Sequence, residues 1–147
     1  MPAVGQLPAK KGLIMAFYTK LYFTTLIAFF AIDMVWLGLV ARTFYRNQLG
    51  FLLSPNTNWV AAIIFYLLFI AGILVFVVLP GLEDNSLKTT ILRAALFGFV
   101  TYATYDLTNL ATVKDWPLLI TIVDLAWGTV LSIAVSCVGF LAGKWLG

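Results

Sequence analysis

Asp33, Asp106 and Asp124 lie inside stretches that are otherwise apolar enough to cross a membrane, and they are half of the six acidic residues of the chain. A charged side chain at the centre of a bilayer costs roughly 2.5–3.5 kcal/mol on insertion scales, so such residues face a protein interior or a watery cavity and are candidate sites. Carboxylates in that setting can take up a proton, hold a cation or bind a ligand that carries an amine. Desolvation and neighbouring like charge favour the neutral form of an acid, which keeps proton binding among the open chemistries.

The residues around them extend the candidate site. In TYATYDLTNL, Tyr102, Asp106 and Asn109 fall on one helical face at i,i+4 and i,i+3 spacing, with Thr101, Tyr105 and Thr108 as an adjacent stripe. Lipid does not accept that much polarity, which predicts that both stripes face protein or a cavity. The alternative is a purely structural one: interhelical hydrogen bonds worth about 0.6–2 kcal/mol each. Asp33-x-x-Trp36 and Asp124-x-x-Trp127 each put an acid and an indole on one face. This is either an aromatic wall beside an acidic site, suited to a cation or a flat ligand, or ordinary packing. Arg46 follows the first apolar stretch, where it would either neutralise or gate the acids or sit at the interface as an ordinary arginine.

Other chemistries are poorly served. There is no histidine and only one cysteine, Cys137, so histidine metal sites, an internal disulfide and histidine general-base chemistry are absent. No nucleophile-elbow or glycine-rich phosphate loop occurs. Carboxylates with Asn109 would suit Mg²⁺ or Ca²⁺. No paired-acid motif lies within one helix, however, and no metal site or cofactor is assigned. The net charge of +3 is scattered, with no basic run for nucleic acid.

The elements that must position these groups are helices in a bilayer. The 147 residues are 63% hydrophobic and only 10% charged, against about 25% charged in a soluble domain. Mean hydropathy is +1.02. At about 20 residues per crossing, four spans are predicted, at about 21–40, 59–79, 88–110 and 117–141. They follow an N-terminal cytoplasmic segment over 1–20 and precede a tail over 143–147. The first apolar run reads as an uncleaved span rather than a signal peptide. Ser86 is a candidate N-cap for the third span. The expected fold is an all-α integral membrane protein, an antiparallel four-helix bundle forming one domain over 21–142. The face with both termini carries Lys10, Lys11, Lys20, Lys88, Arg93 and Lys144; the opposite face carries Arg42, Arg46 and Lys114. That bias predicts cytoplasmic termini. At 1.5 Å per residue, Asp33 and Asp124 fall roughly 10 Å and Asp106 about 6 Å below the outer ends of their spans. The three acids therefore read as one layer in the outer half, with Trp36 near the interface and Trp127 near mid-membrane. Gly128, Ser132 and Ser136 form a small-residue face for close helix packing, either internal or between copies.

FYRNQLGFLLSPNTNWVAAIIFYLLF, TYATYDLTNLATVKDWPL and TIVDLAWGTVL together resemble domain-of-unknown-function family 2177, a bacterial family of small predicted membrane proteins. The resemblance runs from about Tyr22 to Gly139. It implies a bacterial inner-membrane protein with four spans and implies no activity.

Three function classes stay open. The acids could form a pocket that binds or transports a proton, a cation or a small polar or cationic ligand. They could be structural, in an accessory subunit of a membrane complex. Or a neutral aspartate could act as general acid, with Tyr102 or Tyr105 assisting, in an enzyme on a lipid or other apolar substrate; the missing nucleophiles and metal ligands weigh against that. Membrane lipids are the expected partners, with a homo-oligomer or a larger complex open. The candidate site residues are Asp33, Trp36, Arg46, Tyr102, Tyr105, Asp106, Asn109, Asp124 and Trp127.

Overall fold

A hydrocarbon environment offers the backbone no water, so every amide and carbonyl must be bonded within the segment that carries it. The computed structural model, which describes residues 6–147, meets that demand with helices, and no strand occurs among the described residues. The helix α1 (Gln6–Val35) passes through a π-helical segment (Trp36–Ala41) directly into α2 (Arg42–Leu49). After a loop come α3 (Trp59–Ile73), a second π-helical segment (Leu74–Val78) and α4 (Leu79–Glu83). The long helices α5 (Leu87–Thr112) and α6 (Leu118–Leu146) complete the chain. Among the described residues, three continuous runs are long and apolar enough to cross a membrane: Lys10–Leu49, Trp59–Glu83 and Leu118–Leu146. The 26-residue α5 is long enough but more polar.

The helix starts follow local chemistry. The Asn58 side chain accepts from the Ala61 amide at the start of α3. Ser86 accepts from the Thr89 amide and caps α5, as the sequence predicts. Asn85 (φ 48°) and Asp115 (φ 59°) take left-handed conformations in the two short turns, a region that Asn and Asp tolerate better than most residues. The first helix differs from expectation in length. It begins by Gln6 and runs on to Leu49, so residues 41–49 continue the first helix beyond the predicted end of the span at Val40. Of the proposed N-terminal segment, residues 1–5 lie outside the described residues.

Packing explains the small residues. On α5, Thr90, Ala94, Gly98 and Asp106 recur at multiples of four and are buried. Gly98 meets the buried Gly128 and Ser132 of α6, and Thr90 packs against Gly81 of α4. A β-carbon on Gly98 would strike the Gly128 carbonyl and the Ser132 side chain, and one on Gly128 would strike the Tyr102 ring. The small-residue face is thus an internal seam that lets the two backbones approach. Apolar side chains from α1, α3 and α6, among them Phe29, Ile70, Ile73 and Leu131, fill the rest of the core. Outward, Ile63, Leu68, Leu92, Leu96, Ile122 and Leu141 are exposed on the helix surfaces. Such faces are what lipid covers.

Candidate functional site

All three aspartates of the long helices are buried: Asp33 is 7% exposed, Asp106 0% and Asp124 8%. Asp106 projects from the tight α5 face toward Asp124 of α6, close enough for the two carboxyls to interact. Neither Asp106 oxygen has a hydrogen-bond partner in good geometry. Asp124 is better served, because the Tyr45 hydroxyl donates to its Oδ1. All nine lysines and arginines are exposed, so no basic side chain is buried with the acids.

Asp33 keeps different company. The Trp127 indole lies beside its carboxylate, and Tyr66 of α3 is near. Trp36 and Trp127 stack face to face, with ring centroids 4.3 Å apart and planes 9° from parallel. The two Asp-x-x-Trp patterns therefore meet. This corrects the depth expectation, which put Trp36 near the interface and Trp127 near mid-membrane. The stack requires one level, and the physical reason is that the first helix continues well past Val40, so Trp36 is not at its end.

The stack also splits the single acidic layer. Gly139 of α6 packs against Thr25 of α1, whereas Trp127 meets Trp36, so the two helices run in opposite directions. Asp33 is then one turn to one side of the indole stack and Asp124 one turn to the other, a separation of roughly 9 Å along the helix axes. Consistent with this split, no group of three or more His, Cys, Asp or Glu among the described residues could hold a metal ion. Tyr102 bridges the two levels, within electrostatic range of Asp33, Asp124 and Asp106.

The Arg46 side chain is exposed. Its neighbour Tyr45 makes the contact expected of a counter-group, and sequence reasoning missed it. The π-segment explains why. In an unbroken α-helix, Tyr45 would sit about 120° around the axis from Asp33, at about 100° per residue. The one extra residue of a π-bulge takes back roughly 100° and leaves the two about 20° apart. Tyr45 is thereby turned inward, and Arg46, one residue on, is turned outward.

The second stripe of α5 also departs from expectation. Tyr105 and Thr108 are exposed, as is Thr104. The hydroxyls of Thr104, Thr108 and Thr112 bond to the carbonyls four residues back, so these side chains carry little unmet polarity outward. Asn109 is half-buried. Tyr105 leans edge-on against Trp116, with ring centroids 5.9 Å apart. It also helps to line a cavity of about 340 Å³ between α3, α5 and α6, together with Phe65, Phe69, Thr101, Tyr102 and Asp124. The site thus offers one open acid, Asp124, inside aromatic walls, with a closed acid, Asp106, behind it.

A family model described as "Predicted membrane protein (DUF2177)" matches residues 18–141. The chain belongs to that family of membrane proteins. No curated protein and no solved structure matches it.

Proposed function

We propose that the chain is a four-span membrane protein that binds, and in an assembled form transports, a proton or a small cationic ligand at the Asp106–Asp124 pair. The observation that carries this reading is the pairing itself. Asp106 is fully buried with both oxygens unpartnered, Asp124 lies beside it, and every lysine and arginine is exposed. A buried carboxylate without a compensating positive charge is costly, and the protein's own chain supplies none. The missing charge then comes from outside, as a proton or a cation.

In this reading α5 also crosses the membrane, as the third of four spans in chain order. Its length corresponds to about 39 Å, its hydroxyls are largely satisfied within the helix, and Leu92, Leu96, Phe99 and Val100 face outward. The four spans pack as an antiparallel bundle in a bacterial inner membrane, with both termini cytoplasmic by the distribution of basic residues. Tyr45, Tyr102, Tyr105 and Asn109 shape the ligand site. Asp33, Trp36 and Trp127 form the second level below it, and Arg46 sits at the rim.

The test is native mass spectrometry of the detergent-purified protein beside the Asp33, Asp106, Asp124→Asn triple variant. A bound species that stays with the wild type and leaves the variant supports the site and identifies its class. Clean, identical spectra from two folded samples, with no difference in proton uptake between them, reduce the acids to a structural role in an accessory subunit.

A further inference from the structure

Within the reading of an acidic pocket, the cavity at Asp124 narrows the ligand class. We infer that it takes a lipophilic organic ammonium monocation, one that enters sideways from the bilayer with its nitrogen on Asp124 and its apolar body among the aromatic rings.

A hydrated divalent cation needs several oxygen ligands in a fixed geometry, and the cavity supplies one carboxylate among phenyl and phenol rings. No group of three acids among the described residues comes together to do better. A sugar or another polyol needs many hydrogen bonds, yet the Thr101 hydroxyl already bonds to the Phe97 and Gly98 carbonyls. An anion meets Asp124 and Asp106, and no lysine or arginine is buried to offset them. A neutral apolar body would leave the Asp124 charge uncompensated. An ammonium group on a hydrocarbon or aromatic body satisfies each wall, because aromatic faces attract a desolvated cation as well as an apolar surface.

Size and access agree. At about 340 Å³ the cavity is at the lower end of small-molecule sites. Phe65 is 48% and Tyr105 59% exposed, so the mouth is on the outer surface of α3 and α5 rather than at a helix end. Both residues are about 10 Å along their helices from the nearer terminus. An amphiphilic amine held at that depth of a bilayer meets the mouth without crossing water. At the far wall, Tyr45 holds Oδ1 of Asp124 and so fixes the carboxylate that faces the cavity.

Benzyltrimethylammonium and its uncharged carbon isostere, neopentylbenzene, test this on the full chain in maltoside micelles, by saturation-transfer NMR and thermal shift. The wild type is expected to prefer the cation by about tenfold or more. Asp124→Asn removes that preference, Asp115→Asn in the exposed turn before α6 keeps it, and Phe65→Leu at the mouth weakens the cation with the carboxylate intact. Each variant is first checked for native helicity and a monodisperse profile. If Asp124→Asn does not fold, the isostere comparison and Phe65→Leu decide alone. Equal binding of the two probes, or a preference that Phe65→Leu and Asp124→Asn leave untouched, overturns the organic-ammonium assignment. If neither probe binds while the wild type still takes up a proton or ion that the triple variant does not, the ammonium inference falls and the acidic-pocket reading stands. If proton and ion uptake are also absent, both fall.

Discussion

Two π-helical segments occur among the described residues, and only one has a local cause. Leu74–Val78 lies just before Pro80. Proline has no amide hydrogen and crowds the carbonyl four residues earlier, here that of Phe76. The helix widens to accommodate it, and the Leu79 amide bonds to the Leu74 carbonyl, five residues back. Trp36–Ala41 has no proline within it or in α2, which follows directly, and Gly38 lies in open space. That segment is explained by what it positions. Trp36 at its start stacks on Trp127, and Tyr45 beyond its end reaches Asp124. One bulge is imposed by the chain at its own position, while the other is stabilised by contacts made at a distance, and π-bulges of the second kind recur at functional sites.

The largest effect is expected from changing the register of the first bulge. Insertion of one alanine after Gly38 turns α2 by roughly 100°, carries Tyr45 away from Asp124, and costs about 3 kcal/mol through the lost charged hydrogen bond and displaced packing. Deletion of Gly38 has the opposite logic. The run closes into α-helix with Tyr45 only about 20° from the Asp33 face, so the contact survives. Reversible unfolding in mixed micelles reads both. If insertion and deletion are equally harmful, the bulge is not a register device and the contrast with Leu74–Val78 collapses.

Next in size is the contact itself. Tyr45→Phe removes one hydroxyl and is expected to cost about 2 kcal/mol, the value of a hydrogen bond to a charged acceptor left unmade. In a double-mutant cycle the cost disappears when Asp124 is already Asn, and it persists when Asp33 is Asn. Coupling of Tyr45 to Asp33 instead would place the bulge's target on the wrong level. Trp36→Leu follows, at about 1 kcal/mol beyond lost area for the stacked indoles. The companion readout is the fluorescence of Trp127, which should respond to Trp36→Leu and not to Trp59→Leu, since Trp59 is 69% exposed on α3.

This contrast also marks where the sequence could be read and where it could not. The membrane class, the Ser86 cap and the burial of the three aspartates follow from composition, a local side-chain bond and the cost of charge in hydrocarbon. The face of Gly128, Ser132 and Ser136 was legible as a packing surface, but its partner was not, because small residues show that something approaches and not what. The stripe of Thr101, Tyr105 and Thr108 misleads for a related reason. Side-chain hydroxyls count as polar in a sequence, yet in a helix they bond to the carbonyl one turn back. Tyr45 was illegible because face assignments extrapolate a period of 3.6 residues. A single extra residue in a turn, unmarked by proline, moves the inward position from Phe44 to Tyr45. The depth of Trp36 failed with it, since the end of the span was placed at Val40.

The smallest effect sharpens the comparison most. Pro80→Ala returns an amide hydrogen to the helix, and the Phe76 carbonyl becomes its α-helical acceptor. If Pro80 is the cause of the second bulge, Leu74–Val78 tightens toward α geometry, and the Leu79 amide shifts from the Leu74 carbonyl to that of Val75. A proline in a helix interior costs about 3 kcal/mol relative to alanine. Here the bulge already absorbs the clash, and the buried Val77 and Val78 must move slightly to use the new bond. The net change is expected to stay within about 1 kcal/mol, one hydrogen bond gained against some repacking. Amide exchange by NMR distinguishes the outcomes: new protection at residue 80, with no change at Trp36–Ala41, is the expected result. Persistence of the bulge without the proline would mean that both segments are held by tertiary contacts, and the local explanation of the second would have to be given up.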